Sequence, residues 1–454
     1  MAEVRRFLAP QAWVAGRWER DVLLAVDGQG KWCEVRTGCG AAEARGAERL
    51  GGPVLPGLVN GHSHAFQRAI AGLTERSAAG HDDFWSWRDR MYAAALRITP
   101  QQLEAVAALL YAELLAAGYT QVCEFHYLHR DTDGKAYADP LEMSLALVRA
   151  AQRTGIGLTL LPTLYMRSGF GAPGLRADQR RFASTPDEIL RIAQAVRRQA
   201  GDSPTLGAGV ALHSLRAVDE GALRECALSA RSAGMPVHIH VAEQHQEVDD
   251  CVRQHGLRPI EWLLQQAQLD AGWNLVHATQ ANAQELRGVQ ATGASIVLCP
   301  STEASLGDGV FDLPTWLAFK GAWSIGSDSH VTRSWREELR LLEYSQRLLR
   351  RQRNIAARAA ATESTATALF AGALAGGSAG AGSALGGLAI GQRADLCMID
   401  TTAPALAGIP PDHLLDALVF SSPEAPMARV IVAGRDVDLR PPLAAFTEAM
   451  RALW

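Results

Sequence analysis

Through the middle of the chain, short and nearly unbroken apolar runs alternate with longer stretches whose apolar residues recur every three to four positions. The runs are LPGLVNGHSHAF, YTQVCEFHY, IGLTLLPTLY, LGAGVALHSLR, MPVHIHVAE, WNLVHAT, ASIVLCPST and WSIGSDSH. Strands buried on both faces read this way, because neither side meets water. The pieces between them, such as TPQQLEAVAALLYAELLAAG, read as amphipathic helices closed by glycine. Eight strand-helix units over roughly 320 residues predict an α/β fold, a (β/α)8 TIM-like barrel.

The two ends have another texture. AWVAGRWERDVLLAVDGQGKWCEVRTG near the start, and GQRADLCMID and ARVIVAGRDV near the finish, are short apolar runs broken by glycine and charge. They predict hairpins, and together a small β-sandwich domain built from both termini. The expected division is residues 1–55 for its N-terminal part, 56–375 for the barrel, and 376–454 for its C-terminal part and tail. The Gly/Ala-rich segment LFAGALAGGSAGAGSALGGLAIGQ resembles a linker in composition but is expected to be a helix followed by tight turns.

Chemistry gathers where the apolar runs stop. Strand side chains alternate between faces, so His62 and His64 share one face. Glu124, His126 and Tyr127 follow the second run, Tyr165 the third, His213 and Arg216 the fourth. His238, His240 and Glu243 follow the fifth, His277 the sixth, Ser301, Thr302 and Glu303 the seventh, and Asp328 and His330 the eighth. In a parallel barrel all these strand ends converge on one face. A catalytic zinc takes nitrogen and carboxylate donors and keeps a position open for water. His62, His64, one histidine of the fifth run and Asp328 can meet there. His238 and His240 share a face, so spacing does not choose between them; His240 lies nearer the strand end.

Composition narrows the setting. With 48% hydrophobic and 20% charged residues and a net charge of −4, the chain offers no basic surface for nucleic acid or an anionic membrane. No long apolar span or signal sequence is evident, so a cytoplasmic location is expected. Seven cysteines without a Cys-x-x-Cys pair argue against a disulfide framework and for small buried side chains.

HSH on the first strand, H-x-H-x-A-E on the fifth, histidine on the sixth and S-D-S on the eighth resemble the amidohydrolase superfamily. The fourth strand ends in His213, where two-metal members place a lysine, so the resemblance implies a single divalent ion, zinc by preference. SHAFQRAIAG, FWSWRDRMY, EFHYLH, YADP, HSLRAV, HIHVAEQ, EVDDC, STEASLGDG and IGSDSH together resemble the formimidoylglutamate deiminase family within it. That resemblance implies His62, His64, His240 and Asp328 as metal ligands and Glu243, His277 and Asp328 as catalytic proton carriers. It further implies Gln67, Arg88, Tyr127, His213 and Arg216 around a small dicarboxylate, with the forked guanidiniums of Arg88 and Arg216 meeting the carboxylates. The expected reaction is attack of metal-activated hydroxide on a formimino carbon, releasing ammonia, in histidine degradation by a homodimer.

Duller readings exist for single residues. Arg88 lies among Asp83, Asp89 and Arg90, as in a surface ion-pair network, and Glu243 is an ordinary helix-starting carboxylate. His126, His129, His238 and His330 are expected to be structural or to steady a ligand through a ring nitrogen; His81, His245, His255 and His413 to lie on the surface. The aromatic residues Phe84, Trp85 and Trp87 suit a loop closing over the mouth. Two other functions compete: deamination of a purine, pyrimidine or adenosine derivative on the same metal, and a barrel kept only as a scaffold.

Overall fold

Eight parallel strands close into a ring in the computed structural model, which describes residues 4–76, 83–421 and 427–454. They are Leu58–Ser63, Tyr119–His126, Gly157–Leu164, Val210–Ser214, Val237–Val241, Trp273–His277, Ser295–Leu298 and Trp323–Ile325, one in each expected run. Each pairs in parallel with its sequence neighbour; the third reaches the fourth directly, and Ile325 against Asn60 closes the circle. The short strand Leu206–Ala208 adds to the outer side of the third. Residues of the first three strands are all buried, as unbroken apolar runs require.

The helices between them are set by local chemistry. Pro100–Ala117 starts where Thr99 and Gln102 cap each other reciprocally, with Pro100 in the first turn, and stops at Gly118, whose φ is +98°. Pro186–Ala200 starts the same way from Thr185 and Glu188. The segment expected as an aromatic loop is instead a helix, Phe84–Ala95, because Asp83 accepts from the backbone N–H groups of Trp85 and Ser86.

Both termini join one separate eight-stranded sheet. Arg5–Val14 and Arg17–Val26 form a hairpin, and Val54–Leu55 lies between Arg5–Val14 and the C-terminal strand Leu396–Ile399. The tetrapeptide Val-Ala-Gly-Arg makes two of its turns. Ala15 and Gly16 have φ of +50° and +84°, and Ala433 and Gly434 have +49° and +76°, the left-handed pair that a two-residue hairpin needs. Arg393 ties sheet to barrel: it pairs with Asp395 and donates to Gln121 Oε1 at 2.6 Å and Thr120 O at 3.0 Å on the second barrel strand.

The Gly/Ala-rich segment is the helix Thr365–Ala381, so the boundary expected after residue 375 falls inside it. It packs against the barrel strands at the end opposite the histidine cluster. A Cβ on Gly376 would lie 1.9 Å from the carbonyl oxygen of Trp323, and one on Gly377 2.8 Å from Val59. The helix backbone lies flush on the strands, so composition that looks like a linker is a packing requirement. The C-terminal helix Leu443–Leu453 returns to the barrel, where Trp454 Nε1 donates to Ala69 O at 3.1 Å. Among the described residues no helix is long and apolar enough to cross a membrane.

A methyl group at the helix-strand contact should therefore be costly. Gly376→Ala is expected to destabilise by about 1–3 kcal/mol, the usual cost of overpacking a tight core. Ala375→Ser, on the exposed side of the same helix, should stay within about 0.5 kcal/mol of the parent in denaturant unfolding.

Candidate active site and metal centre

The first strand ends irregularly. Its ladder with the second strand shifts register between Asn60 and Ser63, a bulge next to the two histidines. His62 and His64 stand edge to face with ring centroids 4.6 Å apart. His240 from the fifth strand joins them. His62 Nε2 lies 3.1 Å from His64 Nε2 and 3.0 Å from His240 Nε2, and Asp328 Oδ1 lies 3.5 and 3.4 Å from the Nε2 atoms of His62 and His64.

The opposite ring nitrogens fix the protons. His64 Nδ1 donates to Phe125 O and His240 Nδ1 to His213 O, each at 2.8 Å; a carbonyl only accepts, so both protons sit on Nδ1. Burial pushes all three imidazoles toward the neutral form, His62 and His240 furthest, with their histidine neighbours adding to it. The Nε2 lone pairs of His64 and His240 therefore face His62, which can donate to only one of them. Such an arrangement fits a divalent cation between nitrogen and carboxylate donors, with the His64 and His240 rings steadied through their other nitrogens and His62 Nδ1 buried without a partner. These groups suit a metal ion by their own chemistry.

Geometry also separates His240 from His238. His238 Nε2 bonds the carbonyl of Gly380 at 3.0 Å, on the Gly/Ala-rich helix, and takes no part in the cluster. Asp328 is held from both sides. Its N–H donates to His62 O at 3.0 Å, and its carbonyl accepts from His64 N at 3.3 Å. The adjacent Ser327 bonds the side chains of Asn60 and His330, and His330 Nε2 reaches His64 O at 3.1 Å. The buried His330 thus braces the loop that carries Asp328. Ala242, His277, Ala278, Asp328 and His330 all have left-handed backbone, φ +46° to +71°. Strain of this kind persists where the surroundings hold a functional geometry.

Beside the cluster lies a chain of titratable groups. His277 Nδ1 is 3.2 Å from Glu303 Oε1, while its Nε2 is 3.7 Å from both Glu243 Oε1 and Asp328 Oδ2. Burial alone would lower the His277 pKa, but Glu243, Glu303 and Asp328 outweigh it and raise it to about 10. Burial pushes the Glu243 carboxyl up to about 7 against the pull of His277 and Arg216.

One cavity opens over these groups, lined by His64, Gln67, Arg88, Tyr127, His213, Arg216, His240, Glu243, His277 and Asp328. Every residue expected at the site lines it except His62, which is fully buried beneath. Arg88 and Arg216 stack on one indole, their guanidinium carbons 4.4 and 5.7 Å from the Trp85 ring centre, and the Nε of each is buried without a hydrogen-bond partner. The surface network considered for Arg88 is not its environment. Gln67 Nε2 donates to Tyr127 Oη at 3.0 Å and its Oε1 is buried without a partner. His213 packs tilted against Tyr165, ring centroids 4.3 Å apart.

Met91, Tyr92 and Phe182 also line the cavity and were not singled out from sequence; they look like ordinary core residues there, since nothing in their spacing marks them. The contact of Glu303 with His277 was equally hidden, although its strand-end position was a signal. His245, His255 and His413 are exposed, Cys33 is the exposed exception among cysteines otherwise buried, and His81 lies outside the described residues.

Comparison with known proteins follows the same lines. The chain is 46% identical over 430 residues to formimidoylglutamate deiminase of Pseudomonas aeruginosa, which covers 94% of this chain and 93% of that protein. It is 28% identical over 257 residues to a 5-methylthioadenosine/S-adenosylhomocysteine deaminase of Halobacterium salinarum, 57% of this chain and 53% of that one. The crystal structure of an amidohydrolase from Brucella melitensis superposes with a TM-score of 0.91 at 41% identity, covering 99% of both chains. Residues 54–437 match the amidohydrolase family as a whole. The chain belongs to that family of hydrolases.

Proposed function

We propose that the protein hydrolyses N-formimidoyl-L-glutamate to N-formyl-L-glutamate and ammonia, as a step of histidine degradation. The observation that carries the reading is the pair Arg88 and Arg216: two partly to fully buried guanidiniums stacked on Trp85, each with an unpartnered Nε. A buried guanidinium N–H without an acceptor is costly, and a dicarboxylate would relieve both, although Arg216 Nη2 already lies 4.0 Å from Glu243 Oε2. A nucleobase pocket has no use for them. The same reading takes one zinc ion, a cytoplasmic location and a homodimer.

His62, His64, His240 and Asp328 would hold the ion. Bound there, a divalent cation acts as a Lewis acid and makes water a nucleophile at neutral pH. The reaction adds the water oxygen to the formimino carbon and breaks that carbon's bond to the terminal nitrogen, which leaves as ammonia. Two proton movements are needed, and the chain supplies groups for both. Asp328 can accept the proton of the attacking water, while its Oδ2 faces the charged His277 ring, which with Glu243 holds protons for the departing nitrogen. Glu243, with its carboxyl near 7, carries a proton often enough at neutral pH to give it to the departing nitrogen. Glu303 orients His277 from behind. Gln67 Oε1 is an acceptor for a substrate N–H, with Tyr127 and His213 completing the wall.

Product analysis tests the whole. Ammonia and N-formylglutamate should appear in equal amounts, turnover should vanish after chelation, and zinc should restore it. Formamide with glutamate, or ammonia released only from a purine or pyrimidine, would overturn the reading. Replacing Arg216 by Ala should lower kcat/KM roughly 10- to 100-fold, mostly through KM, as loss of a charged hydrogen bond of about 1.5–3 kcal/mol requires. Glu243→Gln should instead cut kcat by about 10² to 10⁴ while bound metal stays constant by elemental analysis.

A further inference from the structure

Glu124 is a carboxylate that the reaction above does not use. It is 1% exposed, on the second barrel strand. Burying a carboxylate is expensive unless hydrogen bonds replace its water. Its partners are specific. Oε2 accepts from Ser63 Oγ at 2.7 Å and from Tyr111 Oη at 3.2 Å; Oε1 accepts from the backbone N–H of Ala65 at 2.6 Å.

Two of those donors bracket His64. Ser63 stands between His62 and His64, and Ala65 follows His64. Here the ladder between the first two strands is broken by the bulge, and regular pairing ends at Ser63 opposite Glu124. The carboxylate bonds the chain just where backbone pairing stops, one oxygen on each side of His64. Phe125, the next residue, accepts the Nδ1 proton of His64 at 2.8 Å. The second strand thus grips the His-x-His turn by side chain and backbone at consecutive positions.

We infer that Glu124 is a positioning residue for the metal centre, holding His62 and His64 in ligating geometry through Ser63 Oγ and Ala65 N without touching metal or substrate. This rests on the metal reading above. Groups that orient metal ligands from outside the coordination shell usually govern affinity by about 10- to 100-fold, and that range is expected here.

The experiment measures zinc affinity of the purified chain by competition with a chromophoric chelator, alongside thermal unfolding of the metal-free form. Glu124→Gln and Ser63→Ala should both weaken zinc binding, the first by about 10- to 100-fold. Tyr111→Phe removes a bond to the same carboxylate that does not reach the ligand turn, and should leave zinc affinity near the parent even where it lowers stability. Parent affinity in a folded Glu124→Gln protein overturns the proposal. If that variant does not fold, Ser63→Ala decides: unchanged zinc affinity overturns it, and a weakened one supports it. Failure of the parent chain to bind zinc would instead reject the metal reading itself.

Discussion

Three imidazole nitrogens, with His62 Nε2 about 3 Å from those of His64 and His240 and the lone pairs of the latter two turned toward it, are the constraint on which the rest of the site depends. Left to themselves such groups repel or separate. They stay because each ring is buried and because His64 and His240 are pinned by carbonyls on adjacent strands. Burial keeps the rings neutral, and neutrality keeps them available as ligands.

That arrangement needs a rigid frame, and the barrel supplies it at two levels. Parallel strands deliver His62, His64, His240, His277 and Asp328 to a common end. Polar side chains then lock the loops above: Asn60 to Ser327, Ser327 to His330, His330 to the backbone of His64. At the other end, glycines let a helix lie directly on the strands, and Arg393 fastens the terminal sheet to the second strand. Stability and chemistry are kept at opposite faces.

The cavity combines two electrostatic regimes a few ångströms apart. Near the histidines, carboxylates predominate and keep His277 charged while Glu243 sits near neutrality. Toward the helix Phe84–Ala95 the charge is positive, with Arg88 and Arg216 spread over an aromatic face that gives them attraction without supplying acceptors. A substrate with anionic ends and a basic nitrogen fits this polarity in one orientation only.

The barrel was legible from the amino-acid sequence because strands buried on both faces leave nearly continuous apolar runs, and the candidate site was legible because histidines and acidic residues gather toward the ends of those runs. Local chemistry likewise determined helix limits such as Thr99 and Gly118. Tertiary structure alone decided the rest. His238 and His240 have the same side-chain phase, and only the Gly/Ala-rich helix, reaching back from residue 380, takes one of them away. Glu124 and Glu303 act through partners 61 and 26 residues distant, and Arg88 and Arg216 meet over one ring although more than a hundred residues part them. Periodicity reports which face a side chain takes; what it meets there depends on segments that folding alone brings together.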